Sequence, residues 1–186
     1  MTHHISYSDV CMSYVVGWVN GVTVLDDIMY VVCYWSCTIL LYDKDTCRPL
    51  DAVIKVYGMK YPWDMVVSDR QLYVADCDYC IWRVSVDDHS YVKWLSTEST
   101  MHMFHVTTIS ATSQRLLVTS QDPPGLRQYS MTDGQLLLVV ELPRYVWKLL
   151  HAVETTRGTF VIGHCGSHRQ SAVSELSDVT RGTTSL

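Results

Sequence analysis

A pattern of short apolar runs returns four times along this chain, and the return distance limits the fold more tightly than any other feature of the 186 residues. Aligned on the third run of each unit, it reads Ile39-Leu40-Leu41-Tyr42, Ile81-Trp82-Arg83-Val84, Leu126-Arg127-Gln128-Tyr129 and Val173-Ser174-Glu175-Leu176, with starts 42, 45 and 47 residues apart. The second run keeps step as Met29–Val32, Leu72–Ala75, Leu116–Thr119 and Phe160–Gly163, and the first as Gly21–Val24, Asp64–Val67, Val106–Ile109 and His151–Glu154. A fourth run follows in three units, at Ala52–Val56, Tyr91–Leu95 and Leu136–Glu141. Runs this short, rich in Val, Ile, Tyr and Trp and bounded by Asp, Ser, Thr or Gly, read as strands joined by tight turns. The turn residues recur in step as well: Asp26-Asp27, Asp69-Arg70, Ser113-Gln114 and Arg157-Gly158 after the first run, Asp43-Lys44-Asp45, Asp87-Asp88 and Asp133-Gly134 after the third. Arg144–His151 has some helical spacing at Val146, Leu149 and Leu150, but Pro143 and the repeat assign it to the approach to the fourth unit.

Four consecutive four-stranded antiparallel units at this period are the mark of β-propeller blades. The expected fold is all-β, a β-propeller or partial β-propeller of about four four-stranded antiparallel blades, in one domain with units at about 18–57, 61–98, 103–142 and 147–181. Tyr30, Tyr73, Leu117 and Val161 then occupy equivalent positions on one side of their sheets. Val31, Val66, Val74, Ile81, Trp82 and Leu117 are expected to be buried between blades. Val10–Val16 is expected to be the outer strand of an incomplete upstream blade, and the residues from Ser177 on carry no fourth strand. The open terminal units place Val22, Val24, Val31 and Ile39 at one end and Phe160, Val161 and Ile162 at the other, which implies self-association through the first and last units or poor solubility.

The second unit also resembles a known family. Pro62-Trp63-Asp64-Met65-Val66-Val67, then Leu72-Tyr73-Val74-Ala75-Asp76, then Ile81-Trp82-Arg83-Val84 is similar to the NHL repeat, whose pattern runs Pro-x-Gly-aliphatic, aliphatic-Tyr-Val-Ala-Asp and Asn-x-Arg-Ile. The chain departs from it at Asp64 for the glycine, Asp78 for the asparagine and Cys80 for the arginine. Cys33 replaces the aspartate in the first unit, and Ser120 or Gln121 lies near it in the third. The likeness is specific over 61–85 and architectural elsewhere. It implies a noncatalytic propeller that serves as a platform for protein or peptide contacts. NHL propellers usually have six blades, often sit beside ubiquitin-ligase modules, and in some members bind RNA. No ligase module is present in these residues.

Charge bears on the partner. The net charge of −5 and the absence of any basic block argue against nucleic acid, whose nonspecific affinity comes from neutralised phosphates. The first residues lack the basic start and apolar core of a signal peptide. The uncharged runs Val10–Leu25 and Ile28–Tyr42 fall short of a membrane span. With seven cysteines, an odd count, reduced and mostly buried thiols are expected, in a cytoplasmic protein with no membrane contact.

No nucleophile elbow, phosphate-binding loop or zinc-protease helix is present, so no catalytic residue is assigned. Cys33 and Cys37 with Cys77 and Cys80 fall in corresponding turns but lack zinc-knuckle spacing, and His102, His105, His164 and His168 offer no evident third ligand. No metal or other cofactor is therefore expected. Asp76, Asp78 and Glu154 carry the one enzymatic alternative, a hydrolase- or lactonase-like propeller with a central calcium. The candidate binding residues are Trp18, Tyr61, Trp63, His105 and Trp147, which recur at the approach to successive units and would line one rim. The competing role for these rings is packing between blades.

Overall fold

In the computed structural model the described residues are 18–77, 80–96, 106–112, 114–121, 124–140, 142, 145–146, 148–165 and 171–176. They form four antiparallel sheets and no helix. The first sheet is β1 (Val19–Leu25), β2 (Ile28–Cys33), β3 (Thr38–Asp43) and β4 (Pro49–Lys55). The second is β5 (Pro62–Ser68), β6 (Gln71–Asp76), β7 (Cys80–Ser85) and β8 (Tyr91–Ser96). The third is β9 (Val106–Thr112), β10 (Arg115–Gln121), β11 (Pro124–Ser130) and β12 (Leu136–Val140). The fourth holds three strands among the described residues, β13 (Lys148–Glu154), β14 (Phe160–Cys165) and β15 (Ser171–Leu176). The leading strands β1, β5, β9 and β13 pack side by side in that order, and no comparable packing joins β13 to β1 among the described residues. The fold is a β-propeller or partial β-propeller of four blades. Both Val10–Val16 and the tail from Ser177 lie outside the described residues.

One irregularity recurs in all four leading strands. The register slips by one residue at Val19/Gly21, Pro62/Asp64, Thr119/Ser120 opposite β9, and Leu149/His151. Each slip is a β-bulge, which kinks a strand and re-aims the extra residue. Aligned on it, Tyr30, Tyr73, Leu117 and Val161 fall at one position of the second strand, and Cys33, Asp76, Ser120 and His164 at another. Gly21 stands directly after the first bulge because the next strand crowds it: an added Cβ would lie 2.7 Å from the Met65 amide nitrogen.

Side chains alternate across each sheet, so each blade has two apolar faces. Tyr30, Val32, Ile39, Leu41 and Ile54 of the first meet Met65, Leu72, Val74, Trp82 and Val84 of the second. Tyr73, Ala75 and Ile81 meet Ile109, Leu116, Val118 and Tyr129. Leu117, Leu126 and Val140 meet Leu149, Ala152, Phe160 and Ile162. Of the residues assigned to the terminal faces, Ile39, Phe160 and Ile162 thus lie inside, because period two sends them to the opposite side from Val31 and Val161. Val66 is half-buried, whereas Val31, Val74, Ile81, Trp82 and Leu117 are buried.

The strand order gives the blades two unlike rims. The turns after first and third strands share the hairpin rim. The turns after second strands and the blade-to-blade connections share the other, the loop rim. Hairpin-rim acids are held by local donors. The Thr46 hydroxyl and amide, 2.6 and 2.7 Å from Asp43 Oδ1, lower that carboxyl. Ser85 and Ser90 hold Asp88 down to about 2. Arg70 links two blades by reaching Asp26 at 2.9 Å and Asp87 at 2.7 Å. Glu154 links the last two by accepting from Gln128 Nε2 at 2.7 Å and Thr112 Oγ1 at 3.0 Å.

Candidate functional site: an aromatic loop rim

The site is built on Asp76, the last residue of β6, which is fully buried. Its carboxylate accepts the Lys60 amide at 2.9 Å and the Tyr61 amide at 3.0 Å, and the Trp82 indole Nε1–H at 3.1 Å. A loop of backbone amides is thereby fixed against the end of the sheet, where strand pairing cannot satisfy them. Tyr61 follows from that grip, and Trp63 is the bulged residue of β5, which puts its ring on the rim at 37% exposure. Asn20 Nδ2 donates to the Pro62 carbonyl at 3.0 Å and joins β1 to the same loop.

Tyr34 and Trp35 come from the turn between β2 and β3, closed by the Ser36 amide on the Cys33 carbonyl at 3.1 Å. The Tyr34 amide donates to the Trp18 carbonyl at 2.8 Å, which sets Trp18, 76% exposed, beside the turn. Four rings meet here. Tyr34 lies 5.1 Å from Trp35 and 5.7 Å from Trp63, at 79° and 86° between planes. Tyr61 lies 4.8 Å from Trp35 at 87° and 5.7 Å from Tyr34 at 36°. Trp35 carries two unfavourable features together: it is 66% exposed, and its φ of 69° lies in the left-handed region. For a bulky residue that conformation costs about 1–2 kcal/mol, and residues held so cluster at functional sites.

Of the five expected binding residues, Tyr61 and Trp63 are brought into one ring cluster and Trp18 to its edge. His105 and Trp147 lie outside the described residues. Tyr34 and Trp35 were not expected. Their signal was topological: the turn after a second strand returns to the rim from which the blade began. A groove of about 350 Å³ runs over β3 and β4, lined by Leu40, Tyr42, Val53 and Lys55, and it reaches Ser36 beside Trp35.

The carboxylates of the enzymatic alternative are not brought together. Asp76 ends β6 on the loop rim, Glu154 ends β13 on the hairpin rim, and Asp78 lies outside the described residues. Cys33, Cys77 and Cys80 are buried, and Cys37 is exposed. Burial, with Asp76 beside it, pushes the Cys77 thiol up to about 11, away from thiolate chemistry. His164 is buried with Nε2 3.0 Å from Ser174 Oγ and the Tyr145 ring 5.6 Å away. No group of three His, Cys, Asp or Glu among the described residues is placed to hold a metal ion.

No protein-family model matches this chain, and no curated protein matches it. Solved structures do. The computationally designed Ika4 protein is 11% identical with a TM-score of 0.64, over 90% of this chain and 96% of that one. The designed Ika8 protein is 13% identical with a TM-score of 0.61, over 84% of this chain and 45% of that one. Hydrazine synthase of Kuenenia stuttgartiensis, which contains a propeller, is 15% identical with a TM-score of 0.64, over 78% of this chain and 43% of that one. The chain spans less than half of the last two, and likeness at such identities concerns the fold alone.

Proposed function

We propose that this chain is a noncatalytic β-propeller platform that binds a protein or peptide through the aromatic loop rim. The observation that carries the reading is Trp35, a large ring kept exposed in a left-handed turn beside Tyr34, Tyr61 and Trp63. Tryptophan and tyrosine are enriched, with arginine, among the few residues that carry most of the binding energy at protein contacts, and packing alone does not account for a ring left 66% in solvent. The resemblance of 61–85 to the NHL repeat supports the same role, and Asp76, its matched aspartate, is the residue that grips the Tyr61 loop. The net charge of −5 favours a protein partner over a nucleic acid. The burial of Cys33, Cys77 and Cys80 suits the reduced thiols of the cytoplasm.

Selection from a random peptide display library tests the platform. Selected peptides should lose binding to a Trp35→Gly, Trp63→Ala double variant and keep it to Asp45→Ala on the hairpin rim. A selection without binders, or binders indifferent to the loop-rim variant, refutes it.

A further inference from the structure

Resting on that platform reading, we propose that the rim takes a proline-rich segment in the polyproline II conformation. The first argument is shape. Trp35 and Trp63 both stand nearly perpendicular to Tyr34, and Trp35 to Tyr61. Rings set edge to face leave a ridged apolar surface, the kind that receives the rings of a PxxP segment.

The second argument is hydrogen-bond polarity. The indole Nε1–H groups of Trp18, Trp35 and Trp63 are donors only, and none has a protein acceptor among the described residues. The described carboxylates nearby, Asp76 and Asp64, are already engaged. Asp76 holds three N–H groups, and Asp64 holds the Met65 and Ile109 amides at 2.8 and 2.9 Å. The exposed indoles therefore offer donors for which an occupant can supply acceptors, while the Tyr34 and Tyr61 hydroxyls can donate or accept. A polyproline II segment has solvated carbonyls, no internal hydrogen bonds and no amide hydrogen at proline. It is also ordered before it binds, so little conformational freedom is lost.

The alternatives fit less well. A cationic ligand gains from ring faces but meets no exposed carboxylate beside these rings among the described residues, and the exposed Lys60 precedes Tyr61. An added strand needs a free sheet edge, whereas this rim is made of turns and connections.

The test is a titration of the full chain, read by calorimetry, with a ten-residue polyproline peptide. A Gly-Ser peptide of equal length and a trimethyl-lysine peptide serve as comparisons. The proline peptide should bind at least about tenfold tighter than either, and Trp35→Gly should weaken it by about tenfold or more. Trp35→Phe, which keeps a ring without the donor, should fall between, and Asp88→Ala should bind as the parent does. Circular dichroism checks that each variant folds, and Trp63→Ala replaces Trp35→Gly should that variant fail the check. Equal binding of the Gly-Ser peptide, tighter binding of the trimethyl-lysine peptide, or indifference to both tryptophan variants overturns the proposal. Display-selected peptides that require the rim but lack a proline run would overturn it as well, while leaving the platform reading intact.

Discussion

Asp76→Ala should be among the most damaging single substitutions in the second blade. The carboxylate is fully buried and accepts three N–H donors, two from the loop that carries Tyr61 and one from Trp82. Removing one partner of a buried hydrogen bond costs about 1–3 kcal/mol per stranded group. The Lys60 and Tyr61 bonds are only part-buried, so water recovers some of that loss, and the expected total is about 3–5 kcal/mol. Against a domain stability of about 5–15 kcal/mol, this is a large fraction. Asp76→Asn keeps one acceptor oxygen but turns an amide group toward donors, and should cost about half as much. Ser120→Ala is the control at the equivalent repeat position, where the hydroxyl lies 3.5 Å from the Gly125 carbonyl, and should cost about 1 kcal/mol. Urea unfolding followed by far-ultraviolet circular dichroism measures all three. Near-ultraviolet circular dichroism reports whether the Tyr34, Trp35 and Tyr61 rings lose their fixed geometry. An Asp76→Ala protein within about 1 kcal/mol of the parent would refute the assignment of this carboxylate as the loop's anchor.

Gly21→Ala drives a methyl group toward the Met65 backbone and should cost about 1–3 kcal/mol in the same unfolding assay; a neutral result would mean that β1 and β5 are not in close approach. Trp35→Gly should be more stable than Trp35→Ala by about 1 kcal/mol, because both lose the indole and only alanine keeps the left-handed cost; equal stabilities would remove the strain argument. Carboxyl NMR should find Asp64 raised, chiefly by burial, and Asp88 at about 2, and the reverse order would contradict both environments. The signs differ: stability linked to Asp88 is present above its unfolded pKa of about 3.9 and is lost as pH falls toward about 2, whereas that linked to Asp64 is lost as pH rises through its raised value. Copies of the chain should associate at low micromolar concentration through Val22 and Val24 of the first sheet and Val153 and Val173 of the last, all exposed on outward faces; a monomer in sedimentation would count against it.

Strand order and register were legible because two signals agreed, a fixed return distance and turn residues in step with it. The side on which each apolar residue falls was less legible. Blades are apolar on both faces, so alternation carries no polar mark to give it a sign, and Ile39, Phe160 and Ile162 were assigned outward on composition alone. Tyr61 and Trp63 were found by their place at the approach to a blade. Trp63 owes its rim position to a bulge that appears only once β5 is paired with β6. Tyr34 and Trp35 belong to a turn with no glycine or asparagine to announce a left-handed residue, so no local cue marks the conformation at Trp35.

The two rims differ in what their polar groups have left to do. On the hairpin rim the charges are largely consumed: Asp43 by Thr46, Asp88 by Ser90, Asp26 and Asp87 by Arg70, and Glu154 by Gln128 and Thr112. These acids shape turns and join blades, so their number says little about a ligand. On the described part of the loop rim the Lys60 and Tyr61 amides are met from beneath by the buried Asp76 carboxylate. Trp18, Trp35 and Trp63 then present ring surface and indole donors to solvent without protein acceptors among the described residues. On the proposed reading, the hairpin rim with its engaged acids is the structural side and the loop rim with its exposed Trp18, Trp35 and Trp63 is the contact side. For that reason substitutions of the exposed loop-rim rings should act on binding and hairpin-rim substitutions on stability, a separation that paired affinity and unfolding measurements on Trp63→Ala and Arg70→Ala can break by finding either effect on the wrong rim.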